Sequence, residues 1–185
     1  MPSRIVLGLI GPMASGKSTV CSYLTQKHNA GYVRFSSVLR DILGRIYLPQ
    51  TRQNMQKLSS ILRSNFGDDL LALTAAKDVE AVESNIAAVD GVRREPDIKH
   101  LKELQGFYLI SIDADIRVRH ERITKRSENP DDQSKTFKQF VKENQAEAEL
   151  QIMELQKKAP FQIDNSGSFE DLYRQVEGVL KKIKG

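Results

Sequence analysis

Two hydrophobic rhythms alternate along this chain. Short unbroken runs of aliphatic and β-branched residues read as strands buried on both faces at Ile5–Ile10, Gly31–Phe35, Asn85–Asp90, Phe107–Asp113 and Phe161–Asp164. Between them the apolar residues recur every three or four positions. That spacing predicts helices over Ser18–His28, Ser37–Tyr47, Arg52–Asn65, Asp68–Ser84, Glu95–Leu104, Ala114–Arg126, Phe137–Lys158 and Ser168–Lys184. Strand–helix alternation predicts an α/β fold with three α/β/α layers around a five-stranded parallel sheet. Ligands of such sheets bind beyond the carboxyl ends of the strands, so the residues that follow each strand are the candidates for chemistry. The chain, 1–185, reads as one domain without internal repeats. Within it the stretch 36–84 carries helices and no strand, an insertion long enough to cover a second substrate. A polar stretch, Ser127-Glu128-Asn129-Pro130-Asp131-Asp132-Gln133-Ser134, has no apolar anchor and reads as an exposed loop within a short lid of about 119–136.

The first strand runs into Gly11-Pro12-Met13-Ala14-Ser15-Gly16-Lys17-Ser18, followed by Thr19, which fills every fixed position of G-x-x-x-x-G-K-[ST]. Strand, glycine turn and helix N-terminus together bring backbone N–H groups and the positive end of a helix dipole to one spot, a cradle for phosphate. Lys17 is placed to reach the β/γ-phosphates of a nucleoside triphosphate, and the Ser18 hydroxyl to ligate Mg²⁺. ATP and Mg²⁺ are therefore the expected cofactors.

Composition narrows the partners. Charged residues make up 28% of the 185 positions and the net charge is +4, which suits a protein that handles small polyanions. The basic residues are spread along helices, aromatics are 6% and there is no Trp, so a nucleic-acid track is not expected. No apolar run near the N-terminus is long enough to span a membrane, and no cleavable signal is read after Met1. A single cysteine excludes an intrachain disulfide and a cysteine-rich zinc lid, and fits a reducing cytoplasm. Cys21 itself reads as a small buried hydrophobe. His28, His100 and His120 have no metal-ligand spacing and read as surface or capping residues.

Several post-strand residues carry charge. Asp90 ends the third strand, where an acid can orient the water shell of magnesium, and Arg93 follows the turn at Gly91, where it can fork onto a phosphate. Ser37 is a candidate N-cap, and Arg40, one turn into that helix, either points into the cleft or pairs on the surface with Asp41. Arg119, Arg122 and Arg126 share one helix face, either as a lid that neutralises triphosphate charge or as a solvated basic stripe. Asn165 and Gly167 make a tight turn, after which Ser168 caps the last helix with Glu170 and Asp171 in its first turn. Arg52, Gln53, Gln56 and Arg63 are candidates for the lining of an acceptor pocket.

With these motifs the chain resembles the P-loop nucleoside monophosphate kinases over essentially its whole length. Ser36-Ser37-Val38-Leu39-Arg40 is similar to the adenylate kinase stretch whose arginine binds the acceptor phosphate. Asp90-Gly91-Val92-Arg93 is similar to that family's D-G-F-P-R motif. A group of archaeal and bacterial adenylate-kinase-related proteins, with D-G-V-R and an R-x-x-R-x-x-x-R helix, is more similar still. Ile163-Asp164-Asn165-Ser166-Gly167-Ser168 resembles dephospho-CoA kinase, in which this turn lies near the donor adenine. Two departures stand out: the motif lacks its proline, and no glutamine follows Arg93 where adenylate kinases read the acceptor base.

The resemblance implies transfer of the ATP γ-phosphate to a small-molecule nucleotide acceptor. Lys17, Arg93, Arg122 and Arg126 would be catalytic. Gly11 to Thr19, Arg119, Asn165 and Gly167 would hold ATP, while Ser37, Arg40, Asp90 and Arg93 would hold the acceptor, with Ser18 and Asp90 at the metal. It leaves open a dephospho-CoA kinase-like enzyme or an ATPase that acts as a switch, in a monomer or homodimer.

Overall fold

The computed structural model describes residues 4–125, 133–145 and 147–185. Its five strands are β1 (Ile5–Ile10), β2 (Gly31–Arg34), β3 (Ile86–Val92), β4 (Phe107–Asp113) and β5 (Phe161–Asp164). They form one all-parallel sheet in the order β2-β3-β1-β4-β5. The helices are α1 (Lys17–His28), α2 (Ser36–Arg45), α3 (Arg52–Phe66), α4 (Leu70–Ala81), α5 (Ile116–Thr124), α6 (Phe137–Asn144), α7 (Glu147–Gln156) and α8 (Phe169–Lys184). Among the described residues no helix is long and apolar enough to cross a membrane.

Burial on both faces explains the unbroken apolar runs. From the central strand, Val6 and Ile10 enter the layer built by Leu39 of α2, Leu71 and Ala75 of α4, and Ile152 and Leu155 of α7. Leu7 and Leu9 point the other way, into Val20 and Leu24 of α1 and Leu172 and Val176 of α8. Both faces are closed to solvent. Leu7→Ala should therefore cost about 3 kcal/mol, read as a lower urea midpoint with an unchanged slope.

The connection leaving β1 passes to the α1 face while the one leaving its neighbour β3 passes to the opposite face, which opens a crevice at their carboxyl ends. One irregularity shapes that crevice. Leu9 pairs with Asp90 but Ile10 pairs with Val92, so Gly91 is an extra residue in β3, held at φ 98°.

The elements match the sequence reading in number and order for strands, and depart from it in four places. α2 starts at Ser36, with Phe35 at its N-cap and no side-chain cap, so Ser37 is an exposed residue inside the helix and not its cap. Phe35 is already in helical conformation, and its N–H donates to the Asp90 carbonyl at 3.0 Å. The expected helix over Glu95–Leu104 shrinks to a 3₁₀ turn at Glu95–Ile98. There Asp97 accepts the backbone N–H groups of Arg93 and Arg94, both at 3.0 Å, which tightens the chain. The long helix over Phe137–Lys158 is two helices, because Phe140 of α6 is buried against the α5 side whereas Ile152 and Leu155 of α7 cover the sheet. Finally, β3 runs past Asp90 to Val92, which places Asp90 within the strand. The cap at the last helix is as expected: Ser168 Oγ accepts the Asp171 N–H at 3.1 Å.

Candidate active site

The loop leaving β1 is shaped by backbone geometry. Ala14 (φ 60°) and Gly16 (φ 101°) are both left-handed, which turns the chain back on itself before α1 begins at Lys17. The N-terminus of α1 has no side-chain cap and no acidic residue in its first turn. Its leading amides are thus left for an incoming anion. Lys17 folds over the loop, its Nζ donating to the Gly11 carbonyl at 2.7 Å and the Pro12 carbonyl at 3.0 Å. Ser15 is fully buried, and its Oγ has no hydrogen-bond partner among the described residues. Ser18 is exposed on the first turn. An oriented ammonium, uncapped amides and an orphaned hydroxyl make a cradle whose chemistry fits polyphosphate.

Two neighbours press on this loop. A Cβ on Gly11 would lie 2.0 Å from the Ile112 carbonyl of β4, and one on Gly16 would lie 2.0 Å from Asn165 Nδ2. Asn165, only 3% exposed, donates from its backbone N–H to the Asp113 carbonyl at 2.7 Å and from Nδ2 to the Ser15 carbonyl at 2.8 Å. Arg122 in turn donates through Nη2 to the Asn165 carbonyl at 2.7 Å. Burial pulls the Arg122 pKa below that of a free guanidinium. The side chain at 165 therefore braces the loop. Asn165→Ala should weaken binding of Mg·ATP by about tenfold without unfolding the chain, as calorimetry would record. Gly167 lies further out, against the Asp171 carboxylate at the start of α8.

Arg119 also reaches the loop, as a strut. It is 8% exposed, donates to the Ala114 carbonyl (3.0 Å), Asn144 Oδ1 (2.6 Å) and the Met13 carbonyl (3.4 Å), and lies over the Phe140 ring. The solvated-stripe alternative does not describe this residue. Arg126 lies outside the described residues.

Asp90 is buried beside the root of the loop, one strand across from Leu9. Its Oδ2 accepts from the Tyr32 hydroxyl at 3.1 Å. Burial first, and then the Asp90 charge, push the Cys21 thiol pKa up, so Cys21 is an inert packing residue.

On the far side of β3 lies an open cleft of about 500 Å³ between α3, the start of α4 and the turn after β3. Gln56 and Arg63 line it, as does Arg94; Arg52 and Gln53 do not. Arg94 spans the cleft wall, donating to Asp68 Oδ1 at 2.8 Å, the Asp68 carbonyl at 3.2 Å and Asp97 Oδ1 at 3.2 Å. Burial opposes the Arg94 charge, but its bonds to Asp68 and the Asp97 charge outweigh it and hold its pKa above the ordinary value. Arg63 Nη2 sits 3.7 Å from Asp97 Oδ1. Its pKa is lowered, first by burial and then by the charge of Arg94. Arg93, the expected phosphate fork, is exposed, and its backbone N–H is the group bound to Asp97. Arg40 reaches Gln50 Oε1 at 3.4 Å, and its Nε is buried without a partner among the described residues. Sequence reasoning overlooked Arg94 and the buried Asp97. The adjacent pair Arg93-Arg94 gives no sign of which residue turns inward. The three histidines have structural partners: His28 on Glu177, His100 on Asp69 and His120 on the Lys135 carbonyl.

Comparison with known proteins agrees with this geometry. An Archaeoglobus fulgidus UPF0200/UPF0201 protein is 27% identical over 182 residues, which cover 96% of this chain and 55% of that protein. The chain thus spans about half the length of that relative. A UPF0200 protein of Methanocaldococcus jannaschii is 26% identical over 181 residues, covering 97% of this chain and 90% of the relative. Among solved structures, shikimate kinase from Bacteroides thetaiotaomicron superposes with a TM-score of 0.66 at 13% identity, covering 98% and 99% of the two chains. A gluconokinase from Sinorhizobium meliloti superposes with a TM-score of 0.56 at 12% identity, covering 99% and 94%. At such identities the likeness is one of fold, and the fold is that of the P-loop kinases. Residues 10–138 match the family AAA_17, described as an AAA domain, and with well over half its length inside that match the chain belongs to this P-loop NTPase family.

Proposed function

We propose that the protein is an ATP-dependent phosphotransferase, a nucleoside or deoxynucleoside monophosphate kinase that passes the ATP γ-phosphate to a small phosphorylated acceptor. One observation carries the reading. An uncapped, lysine-bearing phosphate cradle and an arginine-lined cleft flank the carboxyl ends of β1 and β3, so donor and acceptor anions can meet between them.

The cradle amides take the polyphosphate, and Lys17 exchanges the Gly11 and Pro12 carbonyls for phosphate oxygens. Ser18 and, through water, Asp90 would hold the Mg²⁺ that accompanies ATP, and that ion would supply charge neutralisation to the polyphosphate. Tyr32 fixes the Asp90 carboxylate for that task. Arg122, braced on Asn165, lies beside the loop where charge spreads over the transferred group. Arg126 belongs to the same proposed lid. Arg40, Arg93 and the pocket candidate Arg63 are the proposed acceptor arginines from the sequence, joined now by Arg94. An acceptor phosphate oxygen is already a nucleophile, so positioning and electrostatics suffice without a general base.

The test is an acceptor panel. The chain with Mg·ATP should form ADP in stoichiometric step with one class of monophosphate, followed by nucleotide chromatography. Turnover that no monophosphate raises above the slow background would refute the proposal.

A further inference from the structure

The cleft beside α3 has a lining that says what it can hold. Arg63 Nε and Arg94 Nε are buried donors with no acceptor among the described residues. A buried N–H left unmade costs about 1–3 kcal/mol, and a small turn of either guanidinium toward an oxygen ligand in the cleft would relieve that cost. The local acids do not fill that role. Asp97, 2% exposed, is committed to two backbone N–H groups and to the Arg94 terminal nitrogen. Asp68 takes the other end of Arg94 at the exposed rim.

The remaining wall is hydroxyl and amide. Ser60 and Ser64 follow Gln56 at steps of four along one face of α3, and Ser59 stands one turn before Arg63. Among the described residues no aromatic ring and no aliphatic side chain lines the cleft. A nucleobase therefore meets only guanidinium planes, which stack on any base alike, and the amide of Gln56 can turn to present either a donor or an acceptor.

We propose that this cleft binds the phosphate and sugar hydroxyls of the acceptor through Arg63, Arg94 and the serines of α3, so that the acceptor is selected by its pentose phosphate and not by its base. The inference rests on the phosphotransferase reading for its place in the reaction, but its binding test is separate. It agrees with the absence of a base-reading glutamine after Arg93.

The experiment is calorimetry on the full chain saturated with a non-hydrolysable Mg·ATP analogue, titrated with ribose 5-phosphate, AMP, CMP and UMP. All four should bind with dissociation constants within about tenfold of one another. Arg63→Gln should weaken each by about tenfold or more, and by a similar factor for all four. Should that variant fold poorly, Ser60→Glu places a carboxylate from an exposed helix position into the cleft and should do the same. The proposal is overturned if ribose 5-phosphate does not bind, if any nucleotide binds more than about tenfold tighter than it, or if the folded variants bind as the parent does. Lys17→Ala without nucleotide separates the two readings. Ribose 5-phosphate that still binds there, in a protein whose parent never consumes ATP with any acceptor, would discard the phosphotransferase and keep the cleft.

Discussion

Replacing Lys17 with alanine should lower phosphoryl transfer by about a thousandfold or more while leaving the circular dichroism spectrum and melting profile close to those of the parent. The reasoning is local. Lys17 Nζ donates to the Gly11 and Pro12 carbonyls within its own loop, and neither of these bonds crosses to another element. Losing them costs little stability, because the loop is also fixed by Asn165 and by the close approach to Ile112. Losing the ammonium removes the only cation built into the cradle's sequence motif, which in the proposed reaction faces the charge that builds on the γ-phosphate. Preorganised charge in a partly dry site is worth far more than the same charge in water. A Lys17→Ala protein that turned over at the parental rate would remove the cradle from the mechanism.

The second large effect is structural and then functional. Gly11→Ala should destabilise the chain by about 3 kcal/mol or more and abolish binding of Mg·ATP, measured by urea unfolding and calorimetry. The added Cβ would sit 2.0 Å from the Ile112 carbonyl and 2.7 Å from Ser15 Oγ. The first of these is backbone of β4, held between β1 and β5, and cannot swing aside. Gly8 gives the contrast. A Cβ there meets the tip of the Phe107 ring at 2.8 Å, a flexible end that can shift, so Gly8→Ala should cost far less. Equal losses at the two positions would show that the loop tolerates displacement and that its close packing on β4 is not what holds the cradle in shape.

What was legible in the residues and what was not follows from the range of the interactions. The strands were readable because burial on both faces leaves an unbroken apolar run, as in Ile5–Ile10. The cradle was readable because its signal is local: a few residues, a strand before and a helix after. The same holds for the Ser168 cap on Asp171. Elements fixed by distant partners were not readable. The helix expected over Glu95–Leu104 is overruled by Asp97, which closes a 3₁₀ turn by capturing the amides of Arg93 and Arg94. The face shared by Arg119 and Arg122 was visible in their spacing. That Arg119 is a buried strut between the loop and Asn144 depends on α6 packing over α5, which no local pattern announces. Arg94 was missed for the same reason: its place depends on Asp68, far away in sequence.

The extra residue at Gly91 has a consequence for how this site is delivered. In an uninterrupted strand, residues two apart share a side, so Asp90 and Val92 would point alike. Instead Asp90 is aligned with Leu9 and Ala88 toward α1, while Val92 joins Val89 in the opposite layer. The insertion acts as a parity switch. The acid is sent to the α1 side of the sheet, and the guanidinium four positions later is sent to the helices across it. Deleting Gly91 would keep every charged group and leave Asp90 facing α1, yet turn the residues that follow it to the wrong side of the sheet.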